Sequence, residues 1–194
     1  MPSVSVPVNA IATGPGYLLY APLGSTLPTN VVAGSVFTDT WPVAWSLLGA
    51  TDEGSEWSYG VETDNVEVAE QLDPVQVVAT GRTITLAFAL ANISATNLKR
   101  LTNGGTLTTT GAGATLLTAY TPPELGQEVR CMVGWESQDS TERLVGYQCL
   151  QTGDIAPARR KGADKALLSA EFTFEKPAGG GAPFGYWTAG AARA

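Results

Sequence analysis

The 194-residue sequence contains no histidine and only two cysteines, and these absences exclude most catalytic and metal chemistry. Without histidine the chain cannot build a Ser-His-Asp or Cys-His nucleophile, and it lacks the commonest metal ligand. Cys131 and Cys149 are too few for a four-cysteine zinc site, and two buried thiols are favoured over a disulfide. No phosphate loop or calcium loop is present. The sequence therefore predicts a protein that is not an enzyme and uses no cofactor or metal.

Long apolar runs are also missing. No stretch reaches the ~18 residues that cross a bilayer. The N-terminus lacks the basic and apolar regions of a secretory signal. We therefore expect no membrane insertion, and folding in a cytoplasm.

Basic residues are absent before Arg82, whereas nine of the 18 acids precede it. All eleven Lys and Arg residues lie from Arg82 onward, and the net charge is -7. An acidic chain does not favour binding to a phosphate backbone. The uneven distribution predicts contacts between unlike surfaces, within one molecule or between copies, although solvated strand faces would explain it equally well.

The dominant pattern in the chain is a series of short segments in which apolar and polar residues alternate. This pattern predicts a mainly β domain, a β-sandwich or partly open barrel, with one short helix near 94–102 capped by Asn92 or Ser94. We expect one domain over 1–194, with an N-terminal arm (1–16), a β core (17–176) and a Gly/Ala-rich C-terminal arm (177–194). The predicted strands are 17–21, 41–48, 57–62, 66–69, 75–80, 82–90, 116–120, 129–136, 145–149 and 166–176.

Several local details follow from the same pattern. A turn is expected at Gly81, a loop over 106–114, and a long connection over 22–40, which exceeds the usual loop length. Folding the second half of the chain about Ser140 predicts a hairpin. The expected opposite pairs are Trp135 with Val145, Val133 with Tyr147, and Cys131 with Cys149.

Residues 16–29 (GYLLYAPLGSTLPT) and 45–54 (WSLLGATDEG) are followed by acidic strands, a strand at 83–90, Asn97-Leu98 and Gly104-Gly105. In order and spacing this set resembles the major tail proteins, the tail-tube subunits of long, non-contractile-tailed bacteriophages. The resemblance covers residues 16–105 well and the rest mainly by strand pattern and length.

The resemblance implies a β-sandwich with a flanking helix that forms hexameric rings stacked into a hollow tube. The long early loop and the terminal arms would bridge rings, and genomic DNA would pass through without specific binding. The expected partners are other copies of the chain and the tape-measure, tail-tip and tail-terminator proteins. The protein would occupy the virion tail, after a stage in the host cytoplasm.

Three groups of residues are candidates for these contacts. An acidic lining repels phosphates, so acids of the first part are expected to face the lumen. The candidate acids are Glu62, Asp64, Glu67, Glu70 and Asp73. The candidate basic cluster, expected to meet acids of a neighbouring subunit, is Arg159, Arg160 and Lys161. The candidate docking aromatics of the C-terminal arm, on a surface of the same or a neighbouring subunit, are Phe184, Tyr186 and Trp187.

Two alternative functions remain open. One is a different virion component, such as a neck, head-completion or capsid-decorating protein, which would share the β composition. The other is a carbohydrate-binding β module. In a carbohydrate-binding module, Trp41, Trp45 and Trp57 would form an exposed aromatic platform. Their period-two spacing is explained more simply if these side chains pack in a core.

Overall fold

A computed structural model describes residues 14–67, 73–157 and 165–190 and shows a mainly β fold with antiparallel sheets and one α-helix, as the alternation predicts. In the described residues the strands are β1 (Gly16–Pro22), β2 (Val32–Ala33), β3 (Val36–Phe37), β4 (Ser46–Leu47), β5 (Thr51–Val66), β6 (Gln76–Leu90), β7 (Thr106–Thr110), β8 (Leu117–Thr121), β9 (Cys131–Ser137), β10 (Glu142–Gln151), β11 (Leu168–Phe174) and β12 (Phe184–Thr188). The helix α1 spans Ala95–Leu101.

The main sheet has the strand order β4-β1-β9-β10-β11-β6-β5 and does not close into a barrel. The first half of β10 pairs with β12 and its second half pairs with β11. Two small hairpins, β2–β3 and β7–β8, lie outside this sheet. β4 and β5 are therefore the two ends of the main sheet.

The core occupies both faces of the central strands. The even-numbered residues of β6, Ile84 to Leu90, are buried against β11, as the alternation predicts. On β1, Leu18 belongs to this main cluster, whereas Leu19 belongs to a second cluster with Trp45 and Val145. Successive strand residues point to opposite faces, so β1 is packed on both sides.

Helix α1 confirms the predicted helix and its cap. Ser94 accepts a hydrogen bond from the backbone N–H of Asn97 at 3.1 Å, and Lys99 and Arg100 lie in the last turn, where cations favour the helix dipole. The buried Asn97 amide donates to the carbonyl of Leu48 at 2.8 Å. The amide therefore attaches the helix to the segment that leads into β5.

The bounds of several predicted strands, and one predicted turn, are wrong. The predicted strand 41–48 is reduced to β4, because a turn from Pro42 to Trp45 brings the two indoles of Trp41 and Trp45 together at 4.8 Å. The predicted strand 57–62 is part of the longer strand β5, which ends at Val66. Of the predicted strand 66–69, Glu67 lies outside β5, and residues 68 and 69 lie outside the described residues. Gly81 pairs with Glu62 inside β6 and makes no turn, since a glycine can occupy a strand beside a bulge.

The chain between 106 and 121 forms a hairpin instead of the predicted loop followed by a strand. The threonine-rich segment of β7 pairs residue by residue with β8, since β-branched threonine favours extended backbone. In the later hairpin Cys131 faces Cys149, as predicted, and both thiols are free and buried. Trp135, however, faces Leu144, because the register shifts between Gly146 and Cys149.

The expected C-terminal arm contains a strand of the main sheet. β12 pairs with β10 from Glu142 to Gly146, so residues 184–188 belong to the sheet and do not form a free arm. A glycine-rich composition suggested an extended tail. The aromatic segment within it nevertheless pairs with an available strand edge, because paired strands satisfy backbone hydrogen bonds.

Candidate functional site: the hairpin formed by β5 and β6

The longest strands form a hairpin that extends beyond the rest of the sheet. β11 pairs with β6 only from Leu90 to Thr85, and beyond that point β6 pairs with β5 alone. All described residues from 56 to 67 and from 73 to 80 are exposed. The eight residues of β5 beyond Ser58 correspond to about 27 Å of strand. This part of the molecule therefore presents both faces of a two-stranded ribbon to solvent.

One face of the ribbon carries acids among mostly small side chains, with the exposed Val66 and Val78 beside Asp64 near its end. Glu56, Glu62 and Asp64 alternate along β5, so they lie on one face. Their neighbours on that face of β6 include Thr83, Thr85 and Ala87, and the hydroxyls of Ser58 and Thr85 are 2.7 Å apart. On β11, Glu171 is opposite Ala87, which in turn is opposite Glu56. Glu56, Glu62, Asp64 and Glu171 are called the acidic face below.

The other face of the ribbon carries an apolar stripe. It consists of Trp57, Tyr59 and Val61 on β5 and Val77 on β6, with exposed fractions of 42, 48, 49 and 58%. Arg82, paired with Val61, places one positive charge on the same face. The stripe continues the core face of β6, because Trp57 and Tyr59 are paired with the buried Leu86 and Ile84. Core packing therefore ends along the stripe, and its large side chains remain half exposed.

The structure brings two of the five predicted lumen acids together. Glu62 and Asp64 share the acidic face, whereas Glu67 and Asp73 are exposed just outside the strands, near the end of the hairpin. Glu70 lies outside the described residues, as do Arg159, Arg160 and Lys161. Glu56 and Glu171 were not predicted, since only the register of three neighbouring strands shows that they share a face.

Acidic residues continue from the hairpin onto the part of the main sheet where β5 begins and β11 lies. A groove of about 640 Å³ lies between the start of β5 and β11, and it includes Glu53, Asp154 and Glu171 in its lining. Asp52, also in this lining, forms an ion pair with Lys165. A cation therefore already offsets part of the charge at this end of the acidic surface.

The three candidate aromatics near the C-terminus contact the same subunit to different extents. The ring of Phe184 lies 5.4 Å from that of Trp57, at the base of the apolar stripe, and 6.3 Å from that of Phe174. Trp187 packs against the second core cluster, while Tyr186 is 49% exposed. Phe184 and Trp187 therefore dock within the chain.

A buried arginine, absent from the sequence predictions, fixes the long connection between β1 and β4. Arg143, with a side chain only 1% exposed, donates to Asp39 at 2.7 Å and to Glu136 at 3.0 Å. Its guanidinium also lies 4.5 Å from the Phe37 ring, and Trp41 donates to Glu136. The sequence held one signal for this network: Arg143 stands within an apolar strand, and a charge that is buried there needs charged or polar partners.

The carboxylate of Asp39 is the meeting point of this network. Desolvation by burial alone would raise the pKa of Asp39. The hydrogen bond and charge of Arg143, together with hydrogen bonds from Asn30 and Thr29, have the larger effect and hold the pKa below its usual value. The connection is consequently held to β9 and β10 by charge-assisted hydrogen bonds. Its small hairpin, β2–β3, still exposes Val31 and Val32 nearby.

The described residues contain no group of three or more His, Cys, Asp or Glu side chains arranged to hold a metal ion. No helix within 14–67, 73–157 or 165–190 is both long and apolar enough to cross a membrane.

A protein-family model described as phage tail tube protein matches residues 7–149, about three quarters of the chain. The matched region includes the whole hairpin and the Arg143 network. No curated protein gives a significant match.

Proposed function

The chain belongs to the phage tail tube protein family, and from this premise we propose that it is the tube subunit of a long, non-contractile tail. In this proposal six copies form a ring, and rings stack into a channel through which the genome is delivered. The family is a structural one, which favours a role in the virion tail and no enzymatic activity. The supporting observation is the hairpin, whose two exposed faces have opposite character.

The apolar stripe is proposed to be the contact between neighbouring copies in a ring. Burying a large apolar side chain fully is worth roughly 1.5–3 kcal/mol, so covering the exposed half of each stripe residue gains about 1 kcal/mol. Within the described residues the outer edge of β5 pairs with no other strand. An exposed strand edge favours pairing with another chain, so the same contact would also satisfy its backbone groups.

The acidic face is proposed to line the channel. If six copies contributed four strands each, about 24 strands at ~4.8 Å spacing would give a circumference of about 115 Å and a diameter of about 37 Å. Duplex DNA fits inside such a channel. Carboxylates that face it repel phosphates, and the small side chains of β6 offer the DNA no pocket, so the genome would move without adhering.

Contacts between stacked rings are proposed for the connection that Arg143 holds. Val31, just before β2, and Val32, its first residue, are 52 and 47% exposed, and the buried ion pairs keep this hairpin in one position. A preorganised contact loses less entropy on assembly. The basic cluster Arg159, Arg160 and Lys161 would meet acids of a neighbouring copy. Tape-measure, tail-tip and tail-terminator proteins would complete the tail, after assembly in the host cytoplasm.

Two adjacent residues provide a matched test of the two faces. Val61 and Glu62 are both exposed and point to opposite sides of β5. We expect Val61→Lys to prevent ring and tube formation, because it replaces an apolar contact side chain with a second positive charge directly opposite Arg82. Glu62→Lys should still assemble. Negative-stain electron microscopy over a concentration series measures assembly, and circular dichroism checks that both variants fold.

The functional difference appears in phages complemented with each variant. Virions with Glu62→Lys, or with Glu62→Lys and Asp64→Lys together, should carry tails of normal length but release DNA more slowly, most clearly at low salt. Tubes formed normally by Val61→Lys would contradict the contact assignment. Unchanged DNA release by the double variant would contradict the lumen assignment.

A further inference from the structure

The apolar stripe contains a small pocket at a β-bulge. Glu62 pairs with Gly81 and Thr63 pairs with Ala79, so Thr80 is an extra residue in β6. A bulge of this kind disrupts the regular ladder and bends the strand. A pocket of about 270 Å³ lies here and is lined by Tyr59, Val61, Ala79, Thr80, Gly81 and Arg82. It is called the bulge pocket below.

Arg82 gives the bulge pocket a positive charge. It is the only Lys or Arg between residues 51 and 90, and its pairing with Val61 places it on the face of the stripe. It is exposed, and none of the carboxylates in the described residues forms an ion pair with it. A neighbouring copy that covers the stripe would also cover Arg82, and a buried charge requires a charged or polar partner. The surface that fits the pocket therefore combines an apolar side chain with a carboxylate.

The turn between β8 and β9 presents this combination. Leu125 is 98% exposed, and its neighbour Glu124 is also exposed. Within the part of the chain that the structure describes, no Lys or Arg forms an ion pair with Glu124. Leu23 and Val43 are likewise exposed in turns, but neither has an acid beside it in the chain. The turn at 124–127 is therefore the better match in charge.

The 124–127 turn is held in one conformation. The backbone N–H of Gln127 donates to the carbonyl of Glu124 at 3.0 Å, and Gly126 has a φ of +87°, which glycine adopts without strain. The backbone N–H of Val129 donates to the carbonyl of Asn103 at 2.7 Å, which attaches the turn to the segment after α1. A preorganised turn loses less entropy when it binds.

We propose that the 124–127 turn of one copy docks into the bulge pocket of the next copy in the ring. Leu125 covers the half-exposed Tyr59 and Val61 in this contact. The carboxylate of Glu124 accepts hydrogen bonds from the guanidinium of Arg82, a pairing for which the planar arginine head group is suited. This contact gives the apolar stripe its partner surface and rests on the proposed tube function.

The two surfaces are different parts of the chain. Leu125 is almost fully exposed, so the turn does not occupy the pocket of its own copy. A contact between two unlike surfaces continues from copy to copy and closes into a ring when the rotation permits. Opposite charges meet only when Glu124 reaches Arg82, so the ion pair also opposes other registers of the two copies.

Charge reversal on the full-length protein tests the ion pair. Arg82→Glu and Glu124→Arg should each raise the protein concentration at which tubes appear in negative stain by at least tenfold, because each places like charges together. The two substitutions combined in one chain exchange the charges and should bring this concentration back to within threefold of the wild-type value. Lys176→Glu is the control: it changes the net charge as Arg82→Glu does, at an exposed position outside the pocket, and should assemble normally. Circular dichroism checks that every variant folds.

Cross-linking tests the apolar half of the contact. Protein with Val61→Cys is mixed with protein with Leu125→Cys, so that no chain carries both new thiols, and the mixture is assembled into tubes. A short bismaleimide should then join residues 61 and 125 of different copies, as mass spectrometry of the peptides identifies. The native cysteines are buried and do not compete. Val43→Cys, at another exposed turn, replaces Leu125→Cys as the control and should give at least tenfold less product.

Three results would overturn the docking of the turn while leaving the tube function in place, since wild-type tubes are present in each. The first is normal assembly of both single charge reversals. The second is failure of the combined variant to recover. The third is a link between residues 61 and 125 no more frequent than the control link. Absence of tubes and rings from the wild-type protein would instead contradict the tube function itself, and with it this contact.

Discussion

Replacing Arg143 with methionine should destabilise the subunit strongly, although the residue lies outside the hairpin. The substitution keeps much of the side-chain volume but removes the charge that compensates Asp39 and Glu136, whose side chains are only 12 and 11% exposed. Removing one partner of a buried ion pair typically costs about 3–5 kcal/mol, because the remaining charge stays buried. Single domains are stable by about 5–15 kcal/mol, so this is a large fraction.

The corresponding change in thermal stability can be measured directly. For a domain of this size each kcal/mol shifts the midpoint by about 2–4 °C, so Arg143→Met should lower it by about 6–20 °C. Differential scanning calorimetry on monomeric protein gives the midpoint. Hydrogen exchange should also show faster exchange of the amides between 28 and 40, because Arg143 holds this segment.

Two further variants separate this mechanism from a general packing defect. Arg130→Met removes the exposed Arg130–Glu175 pair and should leave the midpoint within error, since solvent already screens that pair. Adding Asp39→Asn and Glu136→Gln to Arg143→Met should recover part of the loss, because no uncompensated carboxylate then remains. A midpoint unaffected by Arg143→Met, or no recovery in the triple variant, would refute the assigned role.

Three other predictions concern titration and capping. The pKa of Asp39 in the folded protein lies below its unfolded value near 3.9. The stabilisation that ionised Asp39 contributes is therefore present above about pH 4 and is lost as the pH falls through the folded pKa. In acid denaturation, the difference in unfolding free energy between wild type and Asp39→Asn should shrink over this range. Burial raises the pKa of Cys131 to about 12 and that of Cys149 well above its usual value. A chromogenic thiol reagent at pH 8 should therefore modify both cysteines only after the protein unfolds. Fast labelling of the native protein would contradict this prediction. Ser94→Ala should lower the free energy of unfolding by about 1 kcal/mol in urea titrations, whereas an unchanged midpoint would mean that the cap contributes little.

Local alternation and capping were sufficient to predict much of the fold. The buried face of β6, the pairing of Cys131 with Cys149 and the cap at Ser94 each depend on residues close in sequence or on a simple hairpin. The acids Glu62 and Asp64 were predicted as candidates, but only the continuous strand β5 shows that they share one face.

The features that the sequence did not reveal depend on long-range pairing. Glu171 joins the acidic face only because β11 pairs with β6, and two partners of Arg143, Asn30 and Asp39, come from a segment about 100 residues away. A bulge also cannot be located from alternation, which is why Trp135 was paired with Val145. Tertiary packing of two indoles overrode the strand pattern at Trp41.

The most direct test of the proposed function is a cryo-electron microscopy map of tubes assembled from the full-length protein. The expected map shows stacked rings in which the carboxylates of Glu56, Glu62 and Asp64 face the channel, while Trp57 and Val61 are covered by the neighbouring copy. Tubes whose acidic face points outward, or in which the apolar stripe remains exposed to solvent, would contradict the assignment of the two hairpin faces.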